Sequence, residues 1–324
     1  MFVFENTTPY PCFDEIAPDE DGVGYGLRLA SANAITFHQL AQALASPGHL
    51  YLPHAKAPEL AFMFGATPAL VAKAMVRRYF DNGITIADYA GHTFYRPQHL
   101  RQTRPQLCPQ CIASEHRAFA SWSLTMMCCC TRHATVLIDR CACGRPVRWR
   151  RIDLQTCRCG HPFIDSAEVA TPASAGALAI CQHIEYLLGV PHFKLRRPDE
   201  TVLGLFDEVS LDTFLRIIWA MGVVEGNEQK SHPKSANFVP GTDSVVRVVE
   251  RAYQRLSELV TTRRAPTPNI WRQSIDLLAD ELTHGADQRI VLSILRRLRT
   301  SSPRQRQAAQ RAHLKQLSFF GDDL

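Results

Sequence analysis

Eight cysteine and histidine residues between Cys108 and Cys159 fall into four close pairs: Cys108-Pro-Gln-Cys111, Cys130-Thr-Arg-His133, Cys141-Ala-Cys143-Gly144 and Cys157-Arg-Cys159-Gly160. A tetrahedral zinc ion needs four soft or borderline donors, and two tight turns offering two donors each provide them. Taken in sequence order, Cys108, Cys111, Cys130 and His133 enclose one Zn2+, and Cys141, Cys143, Cys157 and Cys159 enclose a second. Both ions are then structural, because the protein fills every coordination position and leaves none for water or substrate. Cys128 and His133 are also at a chelating separation. Cys130 is preferred because its two-residue gap repeats that of the first pair, which leaves Cys128 and Cys129 as core thiols. His161 stands close enough to Cys159 to replace a cysteine of the second centre.

Catalysis has no anchor. Zinc deaminases carry H-x-E upstream of P-C-x-x-C; here Leu107 precedes Cys108, and the only H-x-E, His183-Ile-Glu185, follows every paired cysteine. No H-E-x-x-H, G-x-S-x-G or Walker loop occurs. Between the halves of the second centre stand Arg145, Arg148, Arg150 and Arg151 with Trp149 among them. Arginines interleaved with an aromatic suit phosphate contact and base stacking, though a solvated hairpin with Trp149 packed inward has the same composition. Arg296, Arg297, Arg299, Arg304, Arg306 and Arg311 form a second basic cluster that could share a nucleic-acid or partner contact.

The elements around these residues read as mainly α-helical in three segments. Residues 1–100 form an N-terminal helical domain with helix-turn-helix-like helices. Residues 101–165 form a double zinc-finger or ribbon module with short β-strands, and residues 166–324 a C-terminal helical domain with a basic tail. In the first segment an apolar pattern runs from Leu27 through Phe37, Leu40 and Leu44 to a stop at Ser46-Pro47-Gly48. A helix, Gly65 turn and second helix follow over Pro58–Phe80, with Thr67 as N-cap and Pro68 at the first helical position. In the central segment Thr135–Ile138 and Pro146–Trp149 suit small strands. Beyond it, helices are expected from Ala177 to Leu188, after Ser210, over Ser244–Val260 and Trp271–His284, and around Gln288–Thr300 and Arg304–Leu317. Glu225–Asp243 reads as an exposed loop, and no internal repeat is apparent.

Eleven cysteines without a secretory signal point to thiols in a reducing compartment, so a cytoplasmic location is expected. No apolar run approaches the ~20 residues of a membrane span. The net charge of +5 is modest, but it is unevenly spread. Five carboxylates crowd Pro11–Asp21, whereas Arg289–Gly321 holds seven arginines, one lysine and no acid. Such a split suggests contacts with different partners, or with each other.

The string Cys108-Pro-Gln-Cys111, Trp122, Cys130-x-x-His133, Leu137, Cys141-Ala-Cys143-Gly144 resembles the TniQ/TnsD family of transposon target-selection proteins. Gly24-Tyr-Gly-Leu-Arg-Leu-Ala-Ser-Ala-Asn33 is similar to that family's opening helix, except that a usual serine is Gly24 or Gly26 here. The resemblance covers roughly residues 8–165. It implies a non-enzymatic adaptor of helices around two zinc fingers that directs insertion of a mobile element. Its partners would be an ATPase regulator of the transposase and either target DNA itself or a CRISPR RNA-guided Cascade complex, onto which such proteins dock as a homodimer. The short chain and the Cys-x-Cys-Gly finger look more like the Cascade-associated branch. A self-sufficient sequence-specific DNA binder is the alternative.

Overall fold

The computed structural model describes residues 7–44, 51–190, 202–223, 239–261, 270–282 and 285–300. The Ser46-Pro47-Gly48 stop, most of the Glu225–Asp243 loop, the Arg304–Leu317 helix and Arg304, Arg306 and Arg311 lie outside those residues. About half of the described residues are helical, with small antiparallel sheets between the helices. Among the described residues no helix is long and apolar enough to cross a membrane.

The apolar pattern after Leu27 is two helices, α1 (Gly22–Ala32) and α2 (Phe37–Ala43). Ala34 takes a left-handed φ of 58°, and Thr36 opens α2 through a reciprocal capping box with Gln39. α1 begins on Asp21, whose carboxylate accepts from the Val23 and Gly24 amides at 2.9 and 3.0 Å. The same carboxylate accepts from the Tyr89 and Ser123 hydroxyls, each at 2.7 Å. Burial pushes the Asp21 pKa up, while the four donated hydrogen bonds pull the other way.

α3 (Ala57–Phe64) ends on Gly65, at φ 72°, and α4 (Pro68–Lys73) follows. Thr67 occupies the N-cap and Pro68 the first turn, but the Thr67 hydroxyl donates to Glu15 instead of capping the helix. α4 spans only six residues, about 9 Å. The helical reading to Phe80 fails beyond it. The chain becomes an antiparallel meander, β1 (Arg77–Asp81), β2 (Ile84–Tyr89) and β3 (His92–Phe94), in the order β1-β2-β3. Asn82-Gly83 and Ala90-Gly91 have positive φ at both positions, the two-residue turn whose twist matches paired strands. Asn-Gly signals such a hairpin in the sequence itself; the helical spacing of Leu70–Met75 obscured it.

In the middle of the chain α5 (Pro109–Glu115) precedes the hairpin β4 (Cys129–Cys130) and β5 (Thr135–Val136). The strand expected at Pro146–Trp149 is absent, and only an isolated bridge joins Arg140 to Pro146. α6 (Ala175–Leu188), capped by Ser174 and closed by Gly189, packs on β4 and on α8 (Thr242–Thr261). α7 (Leu211–Gly222), capped by Ser210, also packs on α8, so closely that a Cβ on Gly222 would lie 2.0 Å from the Val248 carbonyl. α9 (Ile270–Glu281) and α10 (Gly285–Thr300) complete the C-terminal layer. Buried side chains from Ile16 to Leu298 form one connected apolar cluster.

A buried polar network ties the cysteine-rich segment to the start of α8. Arg101, 1% exposed, donates to Asp139 and to the Pro240 carbonyl. Asp139 accepts the Thr242 amide, and the Thr242 hydroxyl donates to Gln106. On α6, Glu185 accepts from the Ser121 and Thr131 hydroxyls at 2.9 and 2.5 Å, and burial pushes its pKa up to about 7.

Two outcomes follow. Asp21→Ala strands two hydroxyls and two helix-terminal amides, and is expected to lower stability by about 3 kcal/mol in urea unfolding. Folded Glu185 keeps a proton that an ordinary carboxyl, with its pKa of 4.5, has released, so stability falls as pH rises from there through 7. Between pH 6 and 8 the loss is about 1 kcal/mol, and Glu185→Gln should flatten it.

Candidate metal centres and the surface beside them

Cys108 is the residue preceding α5, and Pro109 sets the first turn so that Cys111 falls on the same side. Cys130 closes β4, and His133 lies in the turn before β5. These four side chains converge. His133 Nδ1 stands 3.5, 3.2 and 3.6 Å from the sulfurs of Cys108, Cys111 and Cys130, and Cys111 and Cys130 are 3.5 Å apart. Metal–donor bonds of about 2.0–2.3 Å in a tetrahedron require edges of about 3.5–3.8 Å. Hydrogen bonds from its neighbouring thiols pull the Cys108 pKa down to about 2, while the same contacts push Cys111 up. Three thiolates this close repel one another unless a cation sits among them.

The second centre is built from a duplicated turn that the sequence reading overlooked: Cys-x-Cys-Gly-x-Pro at 141–146 and again at 157–162. Gly144 and Gly160 sit at φ 78° and 87°, and their amides return to the Cys141 and Cys157 carbonyls at 2.8 Å. The Cys141 and Cys157 amides bond to the carbonyls of Arg145 and His161, each at 2.9 Å. The left-handed position explains why glycine follows each pair. Facing each other, the two knuckles place Cys141 and Cys159 sulfurs 3.8 Å apart and those of Cys143 and Cys157 4.0 Å apart. His161 stands outside this group, with its ring 3.9 Å from Asp165. Cys143 and Cys159 are exposed and the other two buried. Each set of four could hold a metal ion with no position left open.

The arginines divide by burial. Arg151 is buried and donates to the carbonyls of Arg148, Asp153 and Leu154, with its guanidinium over the Trp149 and Phe163 rings. Trp149 is buried as well, its indole N–H donating to the Gln102 carbonyl. Neither presents a free face, so base stacking on Trp149 and phosphate contact by Arg151 do not fit this geometry. Arg145 and Arg150 are exposed and Arg148 half-buried. With Arg158, and with Arg151 beneath, they line a basic hollow of about 460 Å³ floored by Phe163 and Cys157. Arg296 and Arg297 are exposed on α10, and Arg299 lies at its end.

The carboxylates of the acidic segment all take partners within the chain. Asp14 and Glu20 pair with Arg28, Glu15 bonds Thr67, Asp19 pairs with Arg117 and Arg132, and Asp21 starts α1. It pins the opening helix to α4 and to the first cysteine centre, with Asp14 and Glu15 still exposed to solvent.

Residues 11–137 match the model of the TniQ family. The likeness is confined to that stretch, less than half of the chain. It takes in the acidic segment, α1, the meander and the whole first centre, and ends within the stretch leaving β5. The second centre and the C-terminal helices lie beyond the TniQ match. No curated protein matches the chain. In the matched segment a side chain at Gly24 would collide with Ala118, and one at Gly26 would have to push aside the tip of Leu52. A Cβ there would lie 2.7 Å from the Ala118 Cβ and 2.8 Å from Leu52 Cδ1.

Cys108→Ser is expected to remove one metal ion per chain, measured by elemental analysis, and to expose 101–140 to protease; Cys143→Ser should remove the other ion and spare the first. A metal content unchanged in either variant would refute the donor sets.

Proposed function

We propose that this chain is a non-enzymatic, zinc-stabilised adaptor for target-site selection in DNA transposition. In this reading it links a target-recognition complex, the CRISPR RNA-guided Cascade, to the transposition ATPase and transposase. The TniQ match over residues 11–137 carries the proposal. The two closed donor sets support it: three thiolates with an imidazole, and four thiolates, suit structural Zn2+ and leave no site for a reacting water. Segments 1–100, 101–165 and 166–324 then divide the work, with the zinc module joining two helical surfaces that meet different partners. The cytoplasm, where thiols stay reduced, is the compartment this chemistry needs.

Tagged full-length protein should recover the ATPase and the guide complex encoded beside it, as a homodimer on the latter. A folded, zinc-loaded sample that recovers neither would sink the adaptor reading.

The basic hollow favours a second reading, a self-sufficient DNA-binding target selector. It predicts preference for one duplex and a steep loss of affinity with salt. Reversing the exposed pair, Arg145→Glu with Arg150→Glu, should weaken any nucleic-acid-dependent complex by about tenfold at low salt while metal content stays constant. An unchanged affinity would remove this hollow from the contact surface.

A further inference from the structure

Cys128 and Cys129, read from the sequence as spare core thiols, meet a third cysteine. Cys181, from the middle of α6, brings its sulfur to 3.9 Å from that of Cys128, and all three sulfurs lie within 4.8 Å of one another. All three residues are fully buried. Successive residues of a strand face opposite sides. Cys130 therefore points at the first centre, where its sulfur is 3.5 Å from Cys111, and Cys129 points at α6. The trithiol cluster and the first centre stand back to back across β4.

We propose that Cys128, Cys129 and Cys181 form a third metal centre, specific for a three-coordinate, thiophilic d10 ion, monovalent copper. The spacing supports this: metal–sulfur bonds of about 2.3 Å in a trigonal plane set sulfurs about 4.0 Å apart. The donor count separates it from the two four-donor centres. A structural zinc completes a tetrahedron, whereas this group holds three donors and, among the described residues, no fourth; Glu185, one helical turn beyond Cys181, has Oε1 and Oε2 engaged by Ser121 and Thr131. Three sulfurs with no oxygen or nitrogen select the softest common ion. Uptake involves no oxidation. Copper stays monovalent, two thiols lose their protons to solvent as Cu–S bonds form, and the third sulfur closes the shell as thiol or thiolate. Cysteine is also an ordinary core residue, and convergence of three thiols from two elements is what distinguishes this cluster from core packing.

The test uses the full-length, zinc-loaded protein, purified without oxygen and titrated with buffered Cu(I) alone. Retained copper and released zinc are measured together, and the copper site is read by X-ray absorption. One copper per chain, zinc undiminished and a shell of three sulfurs is the expected result. Cys181→Ser, which alters α6 and no residue of the zinc-binding turns, should weaken copper retention by about 100-fold or more. Copper bound only in step with zinc release, no copper retained, or equal retention by Cys181→Ser would overturn the centre. If circular dichroism shows that Cys181→Ser does not fold, Cys129→Ala takes its place, and the sulfur count in the unsubstituted protein decides independently. The zinc content measured alongside separates failure of this centre from failure of the two four-donor sites.

Discussion

Convergence of sulfur and nitrogen donors is the constraint on which the middle of this protein depends. From Cys108 to Cys159 the backbone offers one seven-residue α-helix, a four-residue 3-10 turn at Ala120–Ser123 and a hairpin of two-residue strands. So few ladder hydrogen bonds cannot fix the chain entropy of some fifty residues, each costing on the order of 1–2 kcal/mol to order. A metal ion held by these donors, worth about 10–16 kcal/mol per structural zinc site in small peptides, would be the strongest local term available. The knuckle turns, the left-handed glycines and the proline that opens α5 all serve to aim donors at a point.

Charge is arranged around that constraint. Four thiolates around a divalent ion would leave a net charge of about −2. Arg151, buried and held by carbonyls and aromatic faces, lies beside Cys157 in the same hollow. Burial lowers its pKa to about 10, and the negative charge of Asp153 and Cys157 opposes that shift. A buried guanidinium needs such a counter-charge. On the far side Asp19 draws Arg117 and Arg132 together, and Arg132 lies 4.2 Å over the Phe119 ring. The acidic opening segment therefore fastens α1 to the first centre, while the exposed arginines beside the second remain available to solvent.

Attachment to the helical layers comes from buried polar contacts that are long in sequence. Arg101, Gln106, Asp139 and Thr242 join positions more than a hundred residues apart, and Ser121, Thr131 and Glu185 join the stretches on either side of β4 to α6. Each leaves unsatisfied groups behind if one member is lost, so these links make the central module and its helices mutually dependent.

Local chemistry was legible in the sequence: the four donor pairs, the caps at Ser210 and Gly189, and the helix–Gly65–helix layout all rest on residues near one another. The Asn82-Gly83 hairpin and the twin Cys-x-Cys-Gly-x-Pro turns were present in the same local form, but helical spacing and the cysteine count drew the reading past them. Tertiary structure alone decided that Trp149 and Arg151 face inward, that the carboxylates of the acidic segment find partners within the chain, and that Cys181 joins Cys128 and Cys129. Side-chain type constrains what a residue can bind, whereas burial and partnership depend on elements folded against it from fifty or a hundred residues away, and one-dimensional spacing carries no record of those distances.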